Sequence, residues 1–225
     1  MVSLDASIAR APYQSKGYSP PIFANDAPQP DMYSREKHRH KETRVKTIAD
    51  YLDDIEGADT AKRARAFSEL MDLTEGLVDA TGQWDRIAAY MDSKDNHLRS
   101  IGGQLLCGLA RSDPEGRFFA CFDGIKRLTR DPLFVTARHV LQASYRIGLA
   151  GPKYRKLVLD FYEERYDDCA AERNATLIRF DILVCMRKLY DARHDPALAE
   201  RAQKRIVSES LDTYRAKYRK VWKDA

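Results

Sequence analysis

The chain has 225 residues, 44% of them hydrophobic and 32% charged, enough for one substantial core. No apolar run approaches the roughly 18 residues that cross a bilayer, and the opening MVSLDASIARAPYQS has no apolar stretch of signal-peptide length, so neither a membrane nor export is expected. The net charge of +4 is carried by residues 204–225, where seven Lys or Arg stand against three acids; this excludes a uniformly basic nucleic-acid binder and leaves a basic tip.

Residues 1–34 hold five of the nine prolines (Pro12, Pro20, Pro21, Pro28, Pro30) and no hydrophobic period. Such text buries too little surface to offset its ordering entropy, so a disordered or extended tail is expected. Within it, YSPPIF (18–23) is suited to docking on a partner or on the protein's own groove. Ser34 to Thr43 is a charged lead-in. Its His38 and His40, two apart, do not share a helix face and have no third ligand nearby, so no metal is expected. Cys107, Cys121, Cys169 and Cys185 show no metal spacing, and three lie in apolar helical text, where a thiol acts as a small hydrophobe. This usage fits a reducing cytosol.

From Arg44 the helical period begins. Val45, Ile48, Leu52 and Ile55 form one stripe that ends at Gly57, and a second helix starts near Thr60. Beyond it one helix-opening pattern occurs three times. An acid is followed seven residues later by Arg: Asp92 and Arg99, Asp131 and Arg138, Glu172 and Arg179. Apolar or small residues sit at fixed offsets from that Arg, first Leu98, Ala137 and Ile178, then Gly102, Leu141 and Ile182, then Leu106, Tyr145 and Met186. These offsets fall on one helical stripe. Glu56 and Arg63, with Ala66, Leu70 and Leu73, form a degenerate earlier copy. The arginines 63, 99, 138 and 179 are 36, 39 and 41 residues apart, with text for one outer helix in each interval: Gln83–Met91, Glu115–Arg130 and Lys153–Tyr166. Asp113–Pro114, Asp131–Pro132 and Gly151–Pro152 supply helix-start signals. Gly102–Gly103 lies mid-helix, where it permits close helix packing.

Helix pairs at this period, with their acid-to-Arg spacing, resemble the HEAT-repeat family of α-solenoids over about residues 44–191. The resemblance implies an all-α fold: a short right-handed α-solenoid of about four HEAT-like helix pairs over residues 35–193. It also implies that Asp92, Arg99, Asp131, Arg138, Glu172 and Arg179 form a structural ladder, each Arg pairing with an acid of its own or the adjacent repeat. A C-terminal capping helix, residues 194–225, is expected to open at Asp195–Pro196 and to lay Val207, Leu211, Tyr214, Tyr218 and Trp222 on the stack.

The repeat breaks at Asp181, which stands in apolar IRFDILVCM where the other copies have Ile101 and Val140. An acid there needs a partner, expected from Arg or Tyr of the closing helix, unless it serves a ligand. Helical geometry places Gln104, His139, Gln142, Arg146, Phe180 and Arg187 on the second face of the inner helices, the concave side. No nucleotide loop, HExxH or GxSxG occurs, so neither catalytic residues nor a cofactor are expected. The favoured reading is a cytoplasmic, non-catalytic scaffold that binds another protein or peptide on its concave face. The alternative is a nucleic-acid-binding protein, for the build is also similar to that of the HEAT-like DNA alkylpurine glycosylases; Asp181, Phe180, Arg187 and the terminal basic helix would supply its site.

Overall fold

The computed structural model describes residues 44–224. The expected tail, YSPPIF, His38 and His40 lie outside that range. The described residues are all-helical, with no strand. The first pair is α1 (Ile48–Glu56) and α2 (Thr60–Leu73). Thr47 opens α1 by a reciprocal cap with Asp50, and Asp59 opens α2 by accepting the N–H groups of Ala61 and Lys62. Val45 precedes the first helix and is exposed, so the apolar stripe begins only at Ile48. Next come α3 (Trp84–Ala89), α4 (Asn96–Leu109), α5 (Phe118–Leu128) and α6 (Phe134–Ala143). The chain closes with α7 (Tyr145–Leu149), α8 (Pro152–Asp168), α9 (Ala175–Asp191), α10 (Pro196–Val207) and α11 (Asp212–Val221).

Gly151–Pro152 and Asp195–Pro196 open α8 and α10 directly, with proline in the first turn where its missing N–H costs nothing. The two Asp-Pro pairs act earlier, as turns. Asp113 accepts the N–H of Phe118 at 2.7 Å and Asp131 that of Leu133 at 2.9 Å, each ahead of its helix.

Two helices expected to be continuous are broken. α6 and α7 separate at Ser144, which is fully buried; its hydroxyl donates to the Leu141 carbonyl at 2.6 Å and lies 2.7 Å from the Tyr162 hydroxyl. Serine bonding back to its own helix competes with the helical ladder and bends it. The expected capping helix is also two helices. Between α10 and α11 Glu209 folds inward to 2% exposure, accepts the N–H of Leu211 at 3.0 Å and meets Arg179 at 3.3 Å. Val207 and Leu211, placed on the packing stripe by sequence, are consequently exposed. Only Tyr218 and Trp222, at 0% and 2%, are sealed against α9, with Tyr214 half-buried beside them.

The helices that carry the arginines of the repeat, α2, α4, α6 and α9, form a row that α11 extends, each packed on the next. Cross-contacts run in register. Arg63 of α2 meets Asp95 at the start of α4, and Gly108 near the end of α4 meets Thr74 after α2. His139 of α6 lies by Ser100 of α4, and Cys185 of α9 donates to the Leu141 carbonyl of α6. Tyr218 of α11 donates to the carbonyl of Thr176, and Trp222 to that of Leu183 farther along α9. The five helices therefore run in one direction. Against them lie α1, α3, α5, α8 and α10, themselves linked by side chains: Arg86 of α3 to Glu56 of α1, Phe122 of α5 to Phe161 of α8, and Arg201 of α10 to Glu163 of α8. α10 and α11 thus belong to the same body as the earlier pairs.

Close packing of α4 depends on its glycines. A Cβ at Gly102 would stand 2.6 Å from Cβ of Tyr90 and 3.1 Å from the Ile87 carbonyl, and one at Gly103 would stand 2.7 Å from Val140. α4 is pressed between α3 and α6, and every residue from Leu105 to Leu109 is buried.

Candidate functional site

At the starts of the row helices an arginine reaches forward to an acid of the next. Arg63 pairs with Asp95 at 3.2 Å, Arg99 with Asp131 at 2.7 Å, Arg138 with Asp181 at 2.7 Å and Arg179 with Glu209 at 3.3 Å. Arg99 and Arg138 grip their carboxylates with two nitrogens each, the strong, planar form of this bond. The hydrogen bond from Arg99 holds the Asp131 carboxyl below its ordinary value. Other acids of the expected ladder serve elsewhere. Asp92 pairs with Arg127 of α5 on the surface. Glu172 accepts from the buried Arg165 at 3.0 Å, and that bond keeps its carboxyl low.

Asp181 is the largest correction. Its partner comes from α6 and not from the closing helix: Arg138 at 2.7 and 2.8 Å and Gln142 at 2.9 Å. The carboxylate is 2% exposed, with three donors on its two oxygens. Phe180, beside it in sequence, packs on Tyr218. Arg187 donates to Asp191 and to the Val221 carbonyl and lies over the rings of Tyr190 and Trp222. These three residues do not share an open site.

The expected concave row is likewise divided. Gln142 is consumed by Asp181. Arg146 reaches past α4 to the end of α2, donating to the Thr74 hydroxyl at 2.8 Å and pairing with Glu75 at 2.9 Å. Gln104 and His139 are brought together. They line a groove of about 350 Å³ that crosses α2, α4 and α6. α2 contributes Thr60, Arg63, Ala64 and Phe67; α4 adds His97, Ser100 and Ile101. Ser100 is the centre of its polar wall. Gln104 donates to the Ser100 carbonyl at 3.2 Å and to its hydroxyl at 3.1 Å, and that hydroxyl lies 3.4 Å from Nδ1 of His139. Arg63 is held by Asp95 and by the Gly57 carbonyl, both at 3.2 Å. Phe67 and Ile101 give the groove its apolar part.

A larger hollow, about 500 Å³, lies at the opposite ends of α2 and α4, lined by Leu77, Val78, Arg111 and Ser112 among others. Its polar groups are already used within the turns: Ser112 accepts from the Val78 N–H, and Arg111 donates to the Glu75 carbonyl. The groove at Ser100 retains groups that other side chains do not use, and it is the better candidate. At the far end of the row, α11 and the turn after it hold Lys217, Arg219, Lys220 and Lys223 outward. None of the four pairs with an acid among the described residues; Lys217 lies 4.4 Å from the Tyr214 ring.

None of the four cysteines is disulfide-bonded, and Cys107, Cys169 and Cys185 are buried. Burial raises the thiol of Cys107 and pushes that of Cys185 up to about 12, so neither is a nucleophile near neutrality. Among the described residues no helix is long and apolar enough to cross a membrane. No family model matches the chain, and no curated protein is significantly similar to it.

Proposed function

We propose that the row of like-directed helices is a HEAT-like repeat stack, and that it serves as a non-catalytic module which binds a segment of another protein across α2, α4 and α6. One observation carries this reading. The groove at Ser100 spans three successive row helices and presents polar and apolar side chains side by side, the mixture that protein interfaces use. Parallel row helices tied by an arginine ladder are the architecture from which an extended recognition face is built.

The test is a display library of random linear peptides selected against the full chain. Ala64 is exposed on the groove wall, so Ala64→Trp fills the groove without disturbing the core. Enriched peptides should lose at least about tenfold in affinity, roughly 1.4 kcal/mol, on this variant. An empty selection, or peptides that bind Ala64→Trp as well as the parent, would refute the reading.

The basic face of α11 favours a second reading, binding of a nucleic acid by its phosphates. The apolar side of that helix is occupied by α9, so electrostatics alone would drive it. Affinity for a single-stranded oligonucleotide should then fall steeply from 50 to 200 mM salt. Replacing Lys220 and Lys223 by Glu should abolish it. No affinity at 50 mM salt removes this reading.

A further inference from the structure

We propose that the groove grips its partner by a backbone peptide group, held between His139 and Gln104, with an uncharged partner side chain lying on Phe67 and Ile101. This rests on the groove reading above and names the chemistry the groove selects.

The orientation of Gln104 is fixed by its surroundings. Its amide nitrogen faces the Ser100 carbonyl at 3.2 Å, a group that can only accept, and the Ser100 hydroxyl at 3.1 Å. Both amide hydrogens are thereby used, and the side-chain oxygen remains an acceptor. The Ser100 hydroxyl accepts from Gln104, so its own hydrogen needs another acceptor. In the proposed arrangement that hydrogen goes to Nδ1 of His139, at 3.4 Å, and His139 carries its proton on Nε2. The result is one N–H donor and one carbonyl acceptor, organised by one buried serine and displayed from neighbouring helices.

A secondary amide has the complementary pair, an acceptor C=O and a donor N–H. A carboxylate or phosphate would meet the Gln104 oxygen without a donor of its own, and an ammonium would meet the His139 N–H without an acceptor. The one arginine of the wall, Arg63, gives two nitrogens to Asp95 and Gly57, and its third, Nε, is unpartnered but buried, so it presents no open N–H to a ligand. A nucleobase edge also offers a donor and an acceptor, but no lysine lines the groove, and the exposed Lys62, Arg65 and Lys94 near it stand outside its lining; an oligonucleotide is therefore the competitor in the test. Apolar Phe67 and Ile101 suit a partner side chain without charge.

The probe is the tightest peptide from the library, resynthesised with each backbone amide in turn replaced by an ester, which removes one N–H and weakens the carbonyl. One ester position should bind about three- to tenfold more weakly, the usual worth of one hydrogen bond. That penalty should shrink on Gln104→Leu to the part that the weaker carbonyl loses at His139. His139→Ala, at an exposed position, should weaken the parent peptide by a similar factor with its thermal midpoint unchanged. If every ester analogue binds within twofold of the parent while Ala64→Trp still blocks the peptide, the groove stands and the backbone grip is wrong. Selected peptides rich in one charge, bound with steep salt dependence, or displaced by a twenty-residue oligo(dA), would also overturn it. An empty selection removes both proposals.

Discussion

Asp181 sets the clearest energetic test at a single residue. Its carboxylate is 2% exposed, whereas the Arg138 side chain keeps 33% of its surface. Removing one partner is therefore not equivalent to removing the other. Arg138→Ala strands a buried charge with Gln142 alone and should cost about 3–5 kcal/mol. Asp181→Asn keeps a neutral acceptor and leaves a half-hydrated guanidinium, and should cost less; chemical denaturation of the two variants checks the order. Acid should find another weak point at Asp131. Its folded carboxyl lies below the ordinary value because Arg99 favours the charged form. The stability it adds is complete above the unfolded value, near 4, and is lost as pH falls through the lower folded value. Urea midpoints measured from pH 6 to pH 2 should fall, and Asp131→Asn should lower the plateau at pH 6 while flattening the decline.

Among the elements, α4 is the least forgiving. At Gly102 an added methyl meets the Ile87 carbonyl and the Tyr90 Cβ, neither of which can rotate away. Gly102→Ala should destabilise by about 1–3 kcal/mol despite the higher helix propensity of alanine. The rough positions of the helix starts were legible in the sequence from the apolar period around each Arg; the acids seven residues earlier did not mark them, since Asp95 and not Asp92 caps α4, and α6 and α9 have no side-chain cap. Which carboxylate meets which arginine was not legible, since that is set across an interface: Glu172 has the expected spacing, but Arg165 of α8 takes it, and Arg138 turns to Asp181. The breaks at Ser144 and at 208–211 were hidden because the apolar period runs through both without glycine or proline. Gln104 and His139 could be read from their helical face. Phe67, His97 and Ser100 were missed as their partners, although a serine amid SIGGQLL is the polar interruption that could have pointed there. Ser144→Ala, which loses its bond to Tyr162 in a fully buried place, should cost about 1–3 kcal/mol, read by thermal melting.

At the scale of the molecule, most contacts join each helix to its sequence neighbours, and the last two row helices close one end. Trp222→Ala uncovers α9 and removes an indole that donates to Leu183, so a loss of about 3–5 kcal/mol is expected on denaturation. An array whose parts lean only on their neighbours tends to fray from its ends. Arg146 opposes that tendency. It starts from α7, passes the gap left by Gly108 and fastens on Thr74 and Glu75 at the end of α2, so it works as a tie-rod between the first helix pair and the third. Cutting it with Arg146→Met should let the leading pair come undone ahead of the remainder, turning a single sharp calorimetric peak into two and exposing the α1–α2 amides to hydrogen exchange first.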